Sequence, residues 1–338
     1  MIKEILGILG EGEDLDAEMM EMAMEEIMSG EATPSQISAF LMGLRVKGET
    51  VEEITAAAKV MRAKAKKVRA PEDVIDTCGT GGDHSMTFNI STASAFVVAG
   101  AGVRVAKHGN RAASSHCGSA DVLAELGVNL EADIKLVERC IEEIGIGFLF
   151  APLLHQAMRY AIGPRREMGI RTIFNLLGPL SNPAGAKRQL LGVFDKRWVR
   201  PLAEVLKNLG SERAMVVHGE DRLDEITLTG ATYVAELKDG EVREYKIEPE
   251  EFGFRRCLLS EIRGGTSGYN AEIIREVLSG SEGVKTDIVL LNAGSAIYVA
   301  GKAGSIKEGI ELARQTIKSG KAMEKLEALI KMSNQPAD

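Results

Sequence analysis

Up to Ala70, apolar residues recur every three to four positions, the spacing of one helix face. Leu15, Met19, Met22, Ala23 and Ile27 define the first such face. Thr33, Pro34 and Gln36 then read as a capping box with proline at the first helical position, opening a helix through Ile37, Phe40, Leu41 and Leu44. Thr50 and Glu53 repeat the signal before Ile54, Ala57, Ala58 and Met61. The pattern changes at Ala70-Pro71. Beyond it, short β-branched runs (Val74-Ile75, 103–106, 148–150, 190–194, 214–219 and 287–294) read as strands, and 119–126, 198–209 and 306–318 read as helices between them. Such alternation predicts an α/β layer fold. Residues 226–246 interrupt it with two extended runs around Asp239-Gly240, a hairpin signal. The expected organisation is a small N-terminal helical domain over 1–70 and a larger α/β domain over 71–338.

Composition narrows the function classes. The net charge of −8 argues against broad binding to nucleic acid or anionic membranes, and leaves room only for a local basic pocket. The bases Lys59, Arg62, Lys64, Lys66, Lys67 and Arg69 fall near a helix end, where they complement its dipole. The methionines of the first helices suit a core or a packed dimer interface. No basic leader precedes a long apolar stretch, and no apolar run is long enough to cross a bilayer, so a cytoplasmic protein is expected. Cys78, Cys117, Cys140 and Cys257 form no CxxC pair and are expected to be reduced thiols.

Two loops carry the chemistry. "DTCGTGGDHSMTFNIST" (76–92) places glycines, acids and hydroxyls between a strand and a helix, where backbone N–H groups and the helix dipole attract an anion. It contains no GxxxxGK[ST]. GxGxxG also fails, because His84 stands where the third glycine is needed after Gly79 and Gly81. A tight turn alone would explain the glycines. Asn89, Ser91 and Thr92 at the helix start serve equally as caps or as ligand contacts. The second loop, "KHGNRAASSHCGSAD" (107–121), again joins a strand to a helix and offers Lys107, His108, Arg111, Ser114, Ser115 and Ser119. Two such loops at the carboxyl ends of strands suit a polyphosphorylated sugar.

"GTGGD", "FNIST", "KHGNRAASS", "GSADVLAELG", "RREMGIRTIFNLLGPLSNP" and the Asp224-Glu225 pair, in this order, resemble the anthranilate phosphoribosyltransferase family over nearly the whole chain. The resemblance implies an α/β domain of the nucleoside phosphorylase/phosphoribosyltransferase type and a homodimer formed through the helical domains. It implies transfer of a phosphoribosyl group from phosphoribosyl pyrophosphate (PRPP) to anthranilate in tryptophan biosynthesis. It matches Gly79, Gly82, Asp83, Thr87, Asn89, Ser91, Thr92, Lys107 and Ser119 to PRPP contacts, and Gly79, Asn110, Arg165, His108 and His155 to the anthranilate side. Two magnesium ions per site are implied, one touched by Ser91 and one held by Asp224 and Glu225. No side chain is implied as a catalytic base, which suits a neutral aryl amine as nucleophile. His116-Cys117 departs from the "KS"-like residues of the family, at the edge of the pyrophosphate site. A pyrimidine nucleoside phosphorylase of the same fold and a non-enzymatic, nucleic-acid-binding relative are the alternatives.

Overall fold

The computed structural model describes residues 1–112 and 117–336, so Ser114, Ser115 and His116 of the second loop lie outside the described residues. Four helices come first: α1 (Ile2–Gly10), α2 (Ala17–Ser29), α3 (Pro34–Lys47) and α4 (Val51–Lys64). Both capping boxes form. The Thr33 hydroxyl accepts from Gln36 N at 3.3 Å while Gln36 Oε1 accepts from Thr33 N at 2.8 Å. The buried Glu53 carboxylate does more than cap, since it accepts from Thr50 N (2.8 Å), Leu15 N (2.9 Å) and Lys47 Nζ (3.0 Å) and so ties three segments. The buried face of α2 runs through Met20, Ala23, Met24, Ile27 and Met28, so the expected face is rotated: Met19 and Met22 are only half-buried.

The α/β part runs β1 (Ile75–Gly79), α5 (Ile90–Gly100), β2 (Val105–Gly109), α6 (Ser119–Leu126), α7 (Ile134–Arg139), β3 (Ile146–Phe150), α8 (Ala151–Leu154), α9 (Arg159–Met168) and α10 (Phe174–Leu180). It continues with β4 (Arg188–Gly192), α11 (Val199–Asn208), β5 (Arg213–Gly219), β6 (Thr232–Lys238) and β7 (Glu241–Ile247). It ends in four helices, α12 (Ser267–Leu278), α13 (Val284–Val299), α14 (Ile306–Lys318) and α15 (Lys321–Ser333). The sheet order is β3-β2-β1-β4-β5-β6-β7, parallel from β3 to β5 and antiparallel for the last two strands. From β1 the chain winds outward one way through β2 and β3, then the other way through β4 and β5. The switch point therefore lies between β1 and β4, where an open sheet leaves a crevice for ligands. The hairpin expected at Asp239-Gly240 forms, both residues having positive φ (53° and 77°) as a two-residue type I′ turn requires.

One expected strand is a helix. Residues 287–294 lie inside α13, which is buried from Ile288 to Val299 and so lacks the polar stripe that marks a helix in sequence. Gly294 and Gly309 let α13 and α14 touch, since a Cβ on Gly309 would meet the Gly294 carbonyl at 2.1 Å. The strand expected at 103–106 begins later, at Val105.

Apolar packing covers both sides of the sheet. On one side α5 and the C-terminal helices enclose Phe96, Ile274, Ile297 and Leu326. On the other, Met24, Phe40 and Ile54 of the first helices share a core with Ala161, Leu177 and Leu202 and with Leu191 and Val216 of the sheet. The helical bundle is thus seated directly on α9 to α11. The connecting segment is also pinned, with Lys66 N bonded to Leu154 O (2.8 Å) and Val68 N to Pro183 O (3.2 Å).

Candidate active site

The crevice starts where β1 and β4 end, with Gly79 opposite Gly192 in register. Both must be glycine for the same reason. A Cβ on Gly79 would lie 2.3 Å from Asp224 Oδ2, and one on Gly192 would lie 1.6 Å from the Asp224 carbonyl oxygen. The bare strand ends admit the 223–226 loop into the mouth of the sheet. That loop is clamped from behind by Asn292, which accepts from Ile226 N (3.0 Å) and donates to Ile226 O (2.9 Å).

The glycine-rich loop arches over this point. Gly81, Gly82, His84 and Met86 all have φ between 58° and 74°, a left-handed run that exposes backbone groups. Gly81 N donates to Asp224 Oδ2 at 2.7 Å, and the Asp83 carboxylate reaches Ser85 N (3.1 Å) and Asp224 N (3.4 Å). Thr87 is hydrogen-bonded to Ser85 through their hydroxyls at 3.3 Å. Asn89 caps α5 by position while its side chain bridges Cys117 O (3.1 Å) and Asn270 Nδ2 (3.0 Å). Cys117 is a buried thiol with its pKa raised to about 11 by burial, in keeping with a packing role. Thr92 is buried, and its hydroxyl has no partner among the described residues.

Three carboxylates, Asp83, Asp224 and Glu225, are gathered here. Burial, then the neighbouring Asp83 and Glu225 charges, hold Asp224 well above the usual carboxylate range. Burial likewise pushes Glu225 up to about 7, against the pull of the Lys107 ammonium and the Ser91 N–H bond (3.1 Å). Lys107 is buried, donating to the Thr77 carbonyl and to Ser91 Oγ (3.3 Å). Beneath it Asp76 accepts from His108 N (3.1 Å) and Asn182 Nδ2 (2.8 Å). Among the described residues no three His, Cys, Asp or Glu side chains close into a metal cage. Crowded acids beside a hydroxyl are instead the partial oxygen set that magnesium takes when substrate phosphates complete its shell.

The second loop converges on the same place. Ser119 opens α6, its hydroxyl 3.4 Å from Asn110 O, and Asp121 gathers Ala112 N and Gly118 N (2.9 Å each) with the Arg111 guanidinium (3.0 Å). Asn110 itself is exposed at the tip. His108 and His155 form a buried pair, Nε2 to Nε2 at 3.2 Å. Burial lowers them to about 3 and about 4, so both are neutral at pH 7. Arg165 projects from α9 with its guanidinium carbon 5.2 Å from the Phe174 ring centroid. Among the described residues it makes no side-chain hydrogen bond or ion pair, and burial lowers its pKa. A half-desolvated guanidinium with no hydrogen-bond partner among the described residues is chemically suited to an anion.

The residues expected around PRPP therefore surround the ends of β1 and β2, with Asp224 and Glu225 facing them across the crevice. Arg165 is not joined to them by any bond among the described residues. Gly192, Asn270 and Asn292 carried no sequence signal and Asn182 lay in a quoted motif without a role, because isolated glycines and asparagines acquire meaning only once the topology brings them to the crevice. Arg171 lay within a quoted motif without a role; it donates to the Gly82 carbonyl and stacks on Phe194.

Family comparisons agree with this geometry. A model described as "Glycosyl transferase family, a/b domain" matches residues 71–323, and its companion helical bundle domain matches 3–65. The chain is 59% identical over 333 residues to anthranilate phosphoribosyltransferase of Azospirillum brasilense, covering 98% of this chain and 93% of that one. The crystal structure of the Thermus thermophilus enzyme superposes with a TM-score of 0.93 at 45% identity, covering 98% of this chain and 99% of that one. The Saccharomyces cerevisiae enzyme, solved in complex with PRPP and Mg, gives 0.90 at 29% identity, covering 98% and 97%. The chain belongs to the anthranilate phosphoribosyltransferase family.

Proposed function

We propose that the crevice transfers the 5-phosphoribosyl group of PRPP to the amine of anthranilate, releasing pyrophosphate, in the route to tryptophan. The relatives compared carry the name of this activity rather than that of a nucleoside phosphorylase. The observation that carries the assignment is the acid group Asp83, Asp224 and Glu225 set against a glycine loop, Lys107 and Ser91. Backbone N–H groups of the loop and the N-terminus of α5 receive the phosphates, and Thr92 offers a hydroxyl that has no partner among the described residues. Gly79, Gly82, Asp83, Thr87, Asn89, Ser91, Lys107 and Ser119 complete the PRPP set.

Asp224 and Glu225 hold one magnesium and Ser91 touches a second. When bound, the metal neutralises charge on the departing pyrophosphate. Arg165 receives the anthranilate carboxylate, with Asn110, Gly79 and the neutral His108–His155 pair along the same side. The amine lone pair attacks the anomeric carbon as its bond to pyrophosphate breaks, that electron pair leaving on oxygen, and the new ammonium then sheds a proton. Positioning and electrostatics supply the rate, and no side chain is assigned as base.

The same reading makes residues 1–70 a dimerisation domain and 71–338 the catalytic one. Exposed Met42 and Val46 on α3 and Ile162 on α9 supply an apolar face for a second copy. Among the described residues no helix is long and apolar enough to cross a membrane. Separately, a biosynthetic role of this kind places the protein in the cytoplasm. The test is loss of anthranilate fluorescence on adding PRPP and magnesium. Depletion that needs both supports the assignment, and no depletion with both present defeats it.

A further inference from the structure

The loop assigned to the sugar phosphate is held by Arg171, a residue outside every role described so far. Arg171 lies between α9 and α10, two residues after Gly169 ends the helix that carries Arg165. Its Nη2 donates to the Gly82 carbonyl, and its guanidinium carbon sits 4.4 Å from the centroid of the Phe194 ring. Phe194 is itself fastened to the loop's start: its N–H donates to Thr80 Oγ1 at 3.0 Å, and Thr80 N donates to Gly192 O at 2.9 Å. On the other flank, Thr172 N bonds to Asn175 Oδ1 at 2.9 Å and steadies the backbone that presents the arginine.

We propose that Arg171 is a positioning residue that fixes the Gly82–Asp83 peptide of the PRPP loop from the segment that follows the acceptor-binding helix. The proposal rests on the transferase assignment above. No peptide bond in the described chain is cis, and in a trans peptide the carbonyl and the following N–H point opposite ways. A guanidinium holding Gly82 O therefore turns Asp83 N–H away from Arg171. The same anchor holds the Asp83 carboxylate at Asp224 N (3.4 Å). The anchor matters because the loop is soft here. Gly81 (φ 65°) and Gly82 (φ 74°) lack the Cβ that would otherwise restrict the flanking peptides. The Phe194 ring beneath the guanidinium carbon limits where the arginine head can move beside the loop. One short segment thus bears both the receptor for the acceptor's carboxylate and the clasp on the donor loop.

The test is steady-state kinetics on the full chain carrying Arg171→Ala, Arg171→Met and Arg171→Lys, with the melting temperature measured in parallel. Arg171→Ala and Arg171→Met should raise the PRPP KM by about tenfold, as for loss of one charge-assisted bond, and leave the anthranilate KM at saturating PRPP nearly unchanged. Arg171→Lys should recover part of the loss, since an ammonium can still cap a carbonyl. Combining Arg171→Ala with Asp83→Asn should cost less than the two separate losses together, because both act through one peptide. Equal rises in both KM values with a fall in melting temperature, unchanged PRPP KM, or strict additivity with Asp83→Asn would each overturn the proposal. If the unaltered enzyme fails to consume anthranilate, the transferase assignment falls instead, a result separable from any behaviour of the variants.

Discussion

Gly192 and Asp224 are in contact at the switch point of the sheet: a Cβ on the glycine would lie 1.6 Å from the aspartate's carbonyl oxygen. The obstacle is backbone, so neither partner can yield by changing rotamer. Gly192→Ala must displace the 223–226 loop, and with it the Asp224 and Glu225 carboxylates. The expected result is a stability loss of about 1–3 kcal/mol by overpacking, together with a raised magnesium requirement. Thermal melting and a magnesium titration of the activity check both parts.

Gly82 offers a contrasting case. Its φ of 74° is a conformation that costs an L-residue about 1–2 kcal/mol, and the loop is on the surface of the crevice. Gly82→Ala should weaken PRPP binding more than it lowers the melting temperature. A large stability loss with unchanged PRPP KM would leave the glycine as a turn residue only.

The acid cluster makes stability depend on pH. Glu225 titrates near 7 when folded, against 4.5 for an ordinary glutamate, so the folded state binds more protons than the unfolded chain between those values. Its contribution is therefore a penalty that is absent below about 4.5, grows as pH rises, and is complete above about 7. His108 and His155 act in the opposite direction. Their folded values lie below 6.5, so they favour the folded state less as pH falls from 6.5 toward about 3 to 4. Glu225→Gln should raise the melting temperature at pH 8 without magnesium, and magnesium should stabilise the unaltered protein more than the variant. Magnesium stabilisation that is equal in the two proteins would remove Glu225 from the metal site.

The fold and the site differ in how openly the chain displays them. Capping boxes at Thr33 and Thr50, the hairpin at Asp239-Gly240 and the strand-to-loop steps at Gly79 and Lys107 are local chemistry, and each is readable in a few residues. Helix α13 is not, because burial on every side erases the polar face that distinguishes a helix from a buried strand. The rotated face of α2 has a related cause: in a run as rich in methionine as Met19 to Met28, several faces are apolar enough to be buried. The PRPP loops show themselves by composition. Asp224-Glu225 would pass for surface acids without the family resemblance, and Arg171 and Asn292 become meaningful only through contacts 89 and 66 residues away in sequence.

The two substrates should be separable by charge. Arg165→Ala should raise the anthranilate KM about ten- to a hundredfold, the loss of one charged hydrogen-bonded contact worth roughly 1.5–3 kcal/mol, with little change for PRPP. Lys107→Ala should weaken PRPP instead, and lose some stability, since its ammonium also bonds the Thr77 carbonyl. Arg165→Lys should restore only part of the anthranilate affinity, because one ammonium cannot reproduce two parallel donors. Equal weakening of both substrates by Arg165→Ala would make Arg165 a structural residue.

The most direct measurement follows anthranilate fluorescence and pyrophosphate release together, in the unaltered enzyme and in a variant carrying Asp224→Asn and Glu225→Gln. The predicted result is one pyrophosphate per anthranilate consumed, strict dependence on PRPP and magnesium, and a fall in turnover with a shifted magnesium optimum in the folded double variant. Release of pyrophosphate without anthranilate loss, phosphate-dependent cleavage of a pyrimidine nucleoside in its place, or an unchanged magnesium profile in the variant would contradict it.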